Sequence, residues 1–97
     1  MIRHTVLFSW KPEATDEEKQ QAAAELAKLP SIVPSVRAFA LGTDVGLNQG
    51  NFDFAVTADF DDEAGYLSYR DDPGHREVVA RYILPIAARR VAVQFEY

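Results

Sequence analysis

Residues 52–60, Phe-Asp-Phe-Ala-Val-Thr-Ala-Asp-Phe, constrain the fold more than any other stretch. Phe52, Phe54, Val56, Ala58 and Phe60 share one face, and Asp53, Ala55, Thr57 and Asp59 share the other. A period of two, carried by aromatic and β-branched residues, reads as a half-buried strand. Residues 2–10 repeat the pattern, with Ile2, His4, Val6, Phe8 and Trp10 opposing Arg3, Thr5, Leu7 and Ser9. Lys11-Pro12 ends that strand. Residues 89–97 alternate as well: Val91, Val93, Phe95 and Tyr97 against Arg90, Ala92, Gln94 and Glu96. A fourth strand is expected over 35–42. The Gly-, Asn- and Asp-rich residues 43–51 then form a surface loop. Gly42, Gly46 and Gly50 match no nucleotide-binding fingerprint.

Helical segments separate these strands. Thr15 and Glu18 form a capping box, so a helix is expected over 16–29, with Ala22, Ala23, Leu26 and Leu29 as its apolar stripe. Pro30 and Pro34 should stop it and force an extended link. Asp61 or Asp62 caps a second helix that reaches about Arg70. A third is expected from Pro73 to Leu84, with Val78, Val79, Tyr82 and Ile83 inward.

The order strand, helix, strand, strand, helical segment, strand predicts a single α+β domain over 1–97. It is a ferredoxin-like fold, a four-stranded antiparallel sheet with helices on one face. The phenylalanine-rich face of the first, third and last strands is expected beneath the helices. The opposite face, with Thr5, Leu7, Ser9, Ala55, Thr57, Ala92 and Gln94, is less polar than a solvated face usually is. A second copy packed there would close a dimeric α/β barrel through an isologous interface. A monomer with a small-residue solvent face is the other reading.

Charge narrows the partners. The net charge is −5, with acidic groups spread along the chain. Phosphate binding needs a concentrated basic face, which argues against nucleic acid and anionic membrane. Arg89-Arg90 is the densest basic spot and reads as a solvated strand start. There is no cysteine, hence neither disulfide nor thiolate metal site. The opening apolar run is too short for a signal peptide or a membrane helix, so a cytoplasmic protein is expected. Asp59, Asp61, Asp62 and Glu63 lack calcium-loop spacing, and capping and solvation account for them. No metal and no cofactor is expected.

Chemistry concentrates in Tyr66-Leu-Ser-Tyr-Arg-Asp-Asp-Pro-Gly-His75. Pro73 suits the first turn of a helix, and Asp72 before it can accept from a free N–H. His75 then sits in that first turn, where the helix field disfavours imidazolium. A neutral imidazole can accept or donate a proton, and the Tyr69 phenol lies close by in sequence. His4 shares the inward face of the first strand. Each of the three also has a structural reading: His4 as a core histidine bonded to a neighbour, Tyr69 as a core aromatic, His75 as a simple first-turn residue. Phe8, Phe54, Val56 and Phe60 would wall a pocket for a small apolar or aromatic ligand.

Several segments together resemble the stress-responsive dimeric α/β-barrel (Dabb) family. They are Arg3-His4-Thr5-Val6-Leu7-Phe8, Leu29-Pro30-Ser31-Ile32-Val33-Pro34, Phe52 to Phe60, Tyr66-Leu67-Ser68-Tyr69, Asp72-Pro73-Gly74-His75 and Val93-Gln94-Phe95. The resemblance implies a ferredoxin-like protomer in a homodimeric barrel. It also implies a pocket between sheet and helices, since the family includes a cofactor-free plant polyketide cyclase that uses a histidine–tyrosine pair. His75 and Tyr69 match that pair as catalytic residues, and His4 matches a first-strand pocket histidine. A further pocket histidine corresponds to Phe54 here, and Ala22 and Ala23 stand where the cyclase has bulky aromatics. A non-catalytic stress-associated dimer is the alternative that the resemblance leaves open.

Overall fold

A computed structural model describes all residues, Met1–Tyr97. Strand β1 (Ile2–Trp10) leads through helix α1 (Asp16–Ala27) and a short helix α2 (Leu29–Ile32) into β2 (Ala38–Thr43). β3 (Phe54–Phe60) follows, then α3 (Glu63–Asp71), α4 (Pro73–Val78), a π-helical turn Val79–Ile83 and β4 (Ala87–Glu96). The sheet is antiparallel throughout, in the order β2-β3-β1-β4. This is the expected ferredoxin-like topology, with the helices on one face.

The local signals act where the sequence places them. Thr15 accepts from the Glu18 N–H, and the Glu18 carboxylate accepts from the Thr15 N–H, closing the capping box. Asp62 caps α3 by accepting from Gly65 N–H. Asp72 caps α4 by accepting from the N–H groups of Gly74 and His75. Two helix boundaries differ from expectation. α1 ends at Ala27, and Pro30 sits in the first turn of α2 rather than forcing an extended link. A proline costs no hydrogen bond there, because first-turn N–H groups have no intrahelical partner. The third helix changes pitch after Val78, with Leu84 N–H donating to Val79 C=O five residues back.

The core lies between sheet and helices. Val6, Phe8, Val56, Ala58 and Phe60 meet Leu26, Leu29, Val33 and Ile83 there. Each such side chain, when fully buried, contributes roughly 1.5–3 kcal/mol. α4 approaches α2 closely at Gly74. A Cβ there would stand 2.8 Å from Ile32 Cγ2 and 3.1 Å from Asp72 Oδ1, so glycine is required.

One expectation is reversed. The apolar set of the last strand faces away from the helices. Register places His4 opposite Gln94, Val6 opposite Ala92 and Phe8 opposite Arg90, and directly paired residues share a face. Ala92 and Gln94 therefore belong to the helix side, not to the open face. Val91, Val93, Phe95 and Tyr97 join Leu7 and Thr5 on the open face, where Val93 and Phe95 are 55% and 44% exposed. The reason is the reach of the helix layer. β4 is an edge strand that packs chiefly on β1, so its helix side has no close cover and tolerates Arg90 and Gln94. The open face is thus more apolar than the sequence reading allowed. Its one buried charge, Asp59, accepts from Arg3 at 2.8 and 2.9 Å and from the Tyr97 hydroxyl at 2.8 Å.

Candidate functional site

The uncovered helix side of β4 opens into a cavity of about 640 Å³. β1 and β4 form its floor, and α3, α4 and the π turn form its far wall. His4, Tyr69 and His75 all line it, with Val6, Phe8 and Val56. Besides His75, the structure therefore brings together four of the groups singled out from sequence, His4, Tyr69, Phe8 and Val56, and adds Val6. Phe54 is the exception. It is buried at the other end of the sheet, with its ring centroid 6.3 Å from Phe8 and 5.5 Å from Trp10. Phe60 does not line the hollow either. It backs Tyr66 and Tyr69 at centroid distances of 5.8 and 5.2 Å.

Tyr69 and His75 stack, their ring centroids 4.0 Å apart and their planes 30° apart. The α3–α4 corner produces this contact. Asp72 breaks one helix and caps the next, which turns the His75 ring back over the last turn of α3. His75 Nδ1 is buried and has no hydrogen-bond partner within the chain. Burial lowers the His75 pKa, an effect opposed by the carbonyls of Arg70 and Tyr69. Desolvation, rather than the helix field invoked from sequence, is therefore the main cause. Burial also pushes the Tyr69 phenol well above its ordinary value, so it remains a neutral O–H donor.

His4 completes the group. Its ring centroid lies 5.2 Å from that of Tyr66 and 6.1 Å from that of Tyr69. Gln94 Nε2 is 2.8 Å from His4 Nδ1. With the Gln94 amide so oriented, it donates to Nδ1 and leaves the ring proton on Nε2. Burial, then His75 and Arg90, lower the His4 pKa to about 4. Both histidines are thus neutral near pH 7. The site can accept a proton at one imidazole while a phenol donates a hydrogen bond beside it. Both imidazoles are half-buried against its apolar walls.

Sequence reasoning missed Arg90, Arg76, Gln94 and Tyr66, all of which line the cavity. Arg90 and Gln94 fall on one face of an alternating strand, which was a usable signal, but the reading assigned that face to the wrong side. Three of the four carboxylates at the end of β3 are employed otherwise: Asp59 by Arg3, Asp61 by Arg37 at 2.9 Å, and Asp62 as a cap.

The stress responsive A/B barrel domain matches residues 2–97. A dimeric ferredoxin-like protein of unknown function from Thermobifida fusca is similar at 46% identity, covering 99% of this chain and 90% of that one, with a TM-score of 0.91. A hydroxynitrile lyase from Passiflora edulis shares the fold at 23% identity, 97% and 90% coverage, and a TM-score of 0.85. A Dabb family protein from Mesorhizobium loti does so at 24% identity, 99% and 95% coverage, and a TM-score of 0.83. No curated protein matches the sequence. With a match that runs over nearly its whole length, the chain belongs to the stress responsive A/B barrel domain family.

Proposed function

We propose that the protein is a homodimer closed through the open sheet face, and that each protomer is a cofactor-independent small-molecule enzyme of cyclase or lyase type. The carrying observation is the cavity in which His4, Tyr69 and His75 converge, with His75 Nδ1 buried and unpartnered. In this reading, His75 removes a proton α to a carbonyl. Tyr69 donates a hydrogen bond to the oxygen on which negative charge develops. His4, fixed by Gln94, orients a substrate oxygen from the floor. Phe8, Val6 and Val56 hold an apolar or aromatic body. Hydroxynitrile lyase chemistry is known on this fold in the Passiflora protein, which supports the lyase side of the proposal. The dimer is supported by the exposed Val91, Val93 and Phe95 and by the dimeric Thermobifida relative.

The acid limb of the rate profile follows from the lowered His75 pKa, so activity should fall only below about pH 6.5. Tyr69 is held neutral by burial, so the alkaline limb of a bell moves far above neutrality.

The test is a thermal-shift screen of β-keto and phenolic compounds against wild type and His75→Ala. A ligand that binds only the native state raises the melting temperature. A shift in wild type that disappears in a folded, dimeric His75→Ala supports the reading. An equal shift in both proteins, or loss of the folded dimer in the variant, makes His75 structural and favours a non-catalytic dimer.

A further inference from the structure

Charge around the cavity runs opposite to charge over the chain. The whole sequence carries −5. Yet the hollow is lined by Arg70, Arg76 and Arg90 against one carboxylate, Asp71. Arg70 and Asp71 satisfy each other through hydrogen bonds of 2.9 and 3.1 Å. Arg76 and Arg90 take part in none of the chain's ion pairs. They come from different walls, Arg76 from α4 and Arg90 from the edge strand β4. Arg76 helps to hold the pKa of the Asp71 carboxyl low from a distance, but neither arginine is taken up by an ion pair, and both line the same cavity.

Position adds to this. Arg90 is close enough to disfavour the charged form of both His4 and His75. Its guanidinium thus looks onto the same space as the two imidazoles. Burial disfavours the charged form of both imidazoles, so neither supplies a cation at neutral pH. An arginine does not titrate in this range, and its planar fork fits an oxyanion. Phe8 stands beside Arg90 on the cavity floor, and Val6 and Ala92 separate that pair from His4 and Gln94. The cavity floor therefore runs from a cationic end at Arg90, over an apolar middle, to the neutral His4 at its far end.

We propose that the cavity selects small molecules with an oxyanion head group, carboxylate or phosphate, held between Arg76 and Arg90, and an apolar or aromatic body directed inward. This rests on the reading of the cavity as a ligand site. It adds that recognition is electrostatic at the mouth, and that a neutral molecule of the same shape is a poor ligand. The anion also explains why a protein of net charge −5 keeps unpaired arginines at this place: they attract locally what the rest of the surface repels.

Three matched probes test it by calorimetry: 3-phenylpropionate, 2-phenylethylphosphonate and the neutral 3-phenylpropanamide. In wild type at least one anion should bind about tenfold tighter than the amide, the scale of a charge-assisted hydrogen bond. The tighter anion names the head group. Arg76→Gln and Arg90→Gln should each erode that preference, and the double variant should abolish it. Arg89→Gln should keep it, because Arg89 pairs with Ser9 and faces the other side of the sheet. Added salt should weaken the anions and spare the amide. Amide binding as tight as either anion overturns the proposal while leaving the ligand site standing. A preference that survives the double variant overturns it too. Failure of all three probes to bind overturns both.

Discussion

The sheet has two hollows of nearly equal size, about 640 Å³ on the helix side and about 660 Å³ on the open side. Volume does not distinguish them, but chemistry does. The helix-side hollow gathers two histidines, two tyrosines and three arginines. The open-side hollow lies beneath the β2–β3 loop and is lined by Leu7, Ala40, Gly42, Phe52, Ala55 and Thr57 among others, with Asp44 as its one ionisable group. A ligand site needs a few polar groups converging within apolar walls. An interface needs an apolar face with little charge at its centre. The first hollow meets the first description. The open face that runs from the second towards exposed Val91, Val93 and Phe95 meets the other at its β4 end. Alternation along β1 and β4 separates the two roles, because successive residues of one strand serve opposite sides.

The strongest way to break this comparison is a charge on the open face. Val93→Asp would place an unpaired carboxylate where a second sheet packs, and desolvating it costs several kcal/mol. Size-exclusion chromatography with light scattering should show monomer, with each protomer still folded. The neighbouring Ala92→Asp points into the helix-side cavity and should leave the dimer intact. A dimer that survives Val93→Asp would remove the open face as the interface.

Next in size is the packing that brings His75 over Tyr69. Gly74→Ala drives a Cβ to 2.8 Å from Ile32 Cγ2, a branched methyl close to the backbone. The strain should lower stability by about 1–2 kcal/mol, read by urea unfolding. It should also disturb the cavity, because Gly74 and His75 share the Asp72 cap. An unchanged midpoint would mean that α2 yields at no cost.

These substitutions also mark what the sequence could tell. Caps were legible because they are local: Thr15 with Glu18, and Asp72 before Pro73-Gly74, need only their own neighbours. The topology was legible because four alternating stretches and two helical ones admit few arrangements. The side taken by β4 was not legible. Alternation sorts Val91, Val93, Phe95 and Tyr97 from Arg90, Ala92 and Gln94, but which set faces the helices depends on register and on where the helix layer ends. That single uncertainty hid Arg90 and Gln94, and with them the polar floor of the site. Phe54 was assigned to the pocket for a related reason: sharing a face with Val56 says nothing about position along the sheet. The π turn at Val79–Ile83 was hidden because it reflects packing rather than any local residue preference.

Titration sharpens the comparison next. Unfolded His4 gains a proton near its ordinary pKa of 6.5, whereas folded His4 does so only at about 4. Between those values the unfolded chain binds more protons, so stability falls as pH drops from about 6.5 to 4 and is fully present above. His75 shifts in the same direction. His4 is only partly buried, so solvent reduces the effect to on the order of 1–2 kcal/mol. Asp59, on the open face, behaves separately. Arg3 and the Tyr97 hydroxyl hold its pKa below the usual carboxylate value, so its contribution is lost only as pH falls further, through that lowered value. Melting curves from pH 7 to pH 3 should therefore show two acid losses. His4→Gln should flatten the upper one and Asp59→Asn the lower one. A single loss untouched by His4→Gln would mean that His4 is already charged in the folded protein.

The smallest effect is expected at Gly42, on the open side of β2. A Cβ built there meets nothing within 4 Å in the protomer, and the residue lies in a regular strand opposite Ala55. Gly42→Ala should change protomer stability by no more than about 0.5 kcal/mol, since gained strand propensity and lost chain freedom are its only consequences. Dilution of the dimer then gives a second reading. β2 is the edge strand farthest from β4, so a second sheet centred on Val93 and Phe95 leaves room at Gly42 and the dissociation constant should hold. A dissociation constant weakened by this one methyl would mean that the partner reaches across the whole sheet, covering the open-side hollow as well.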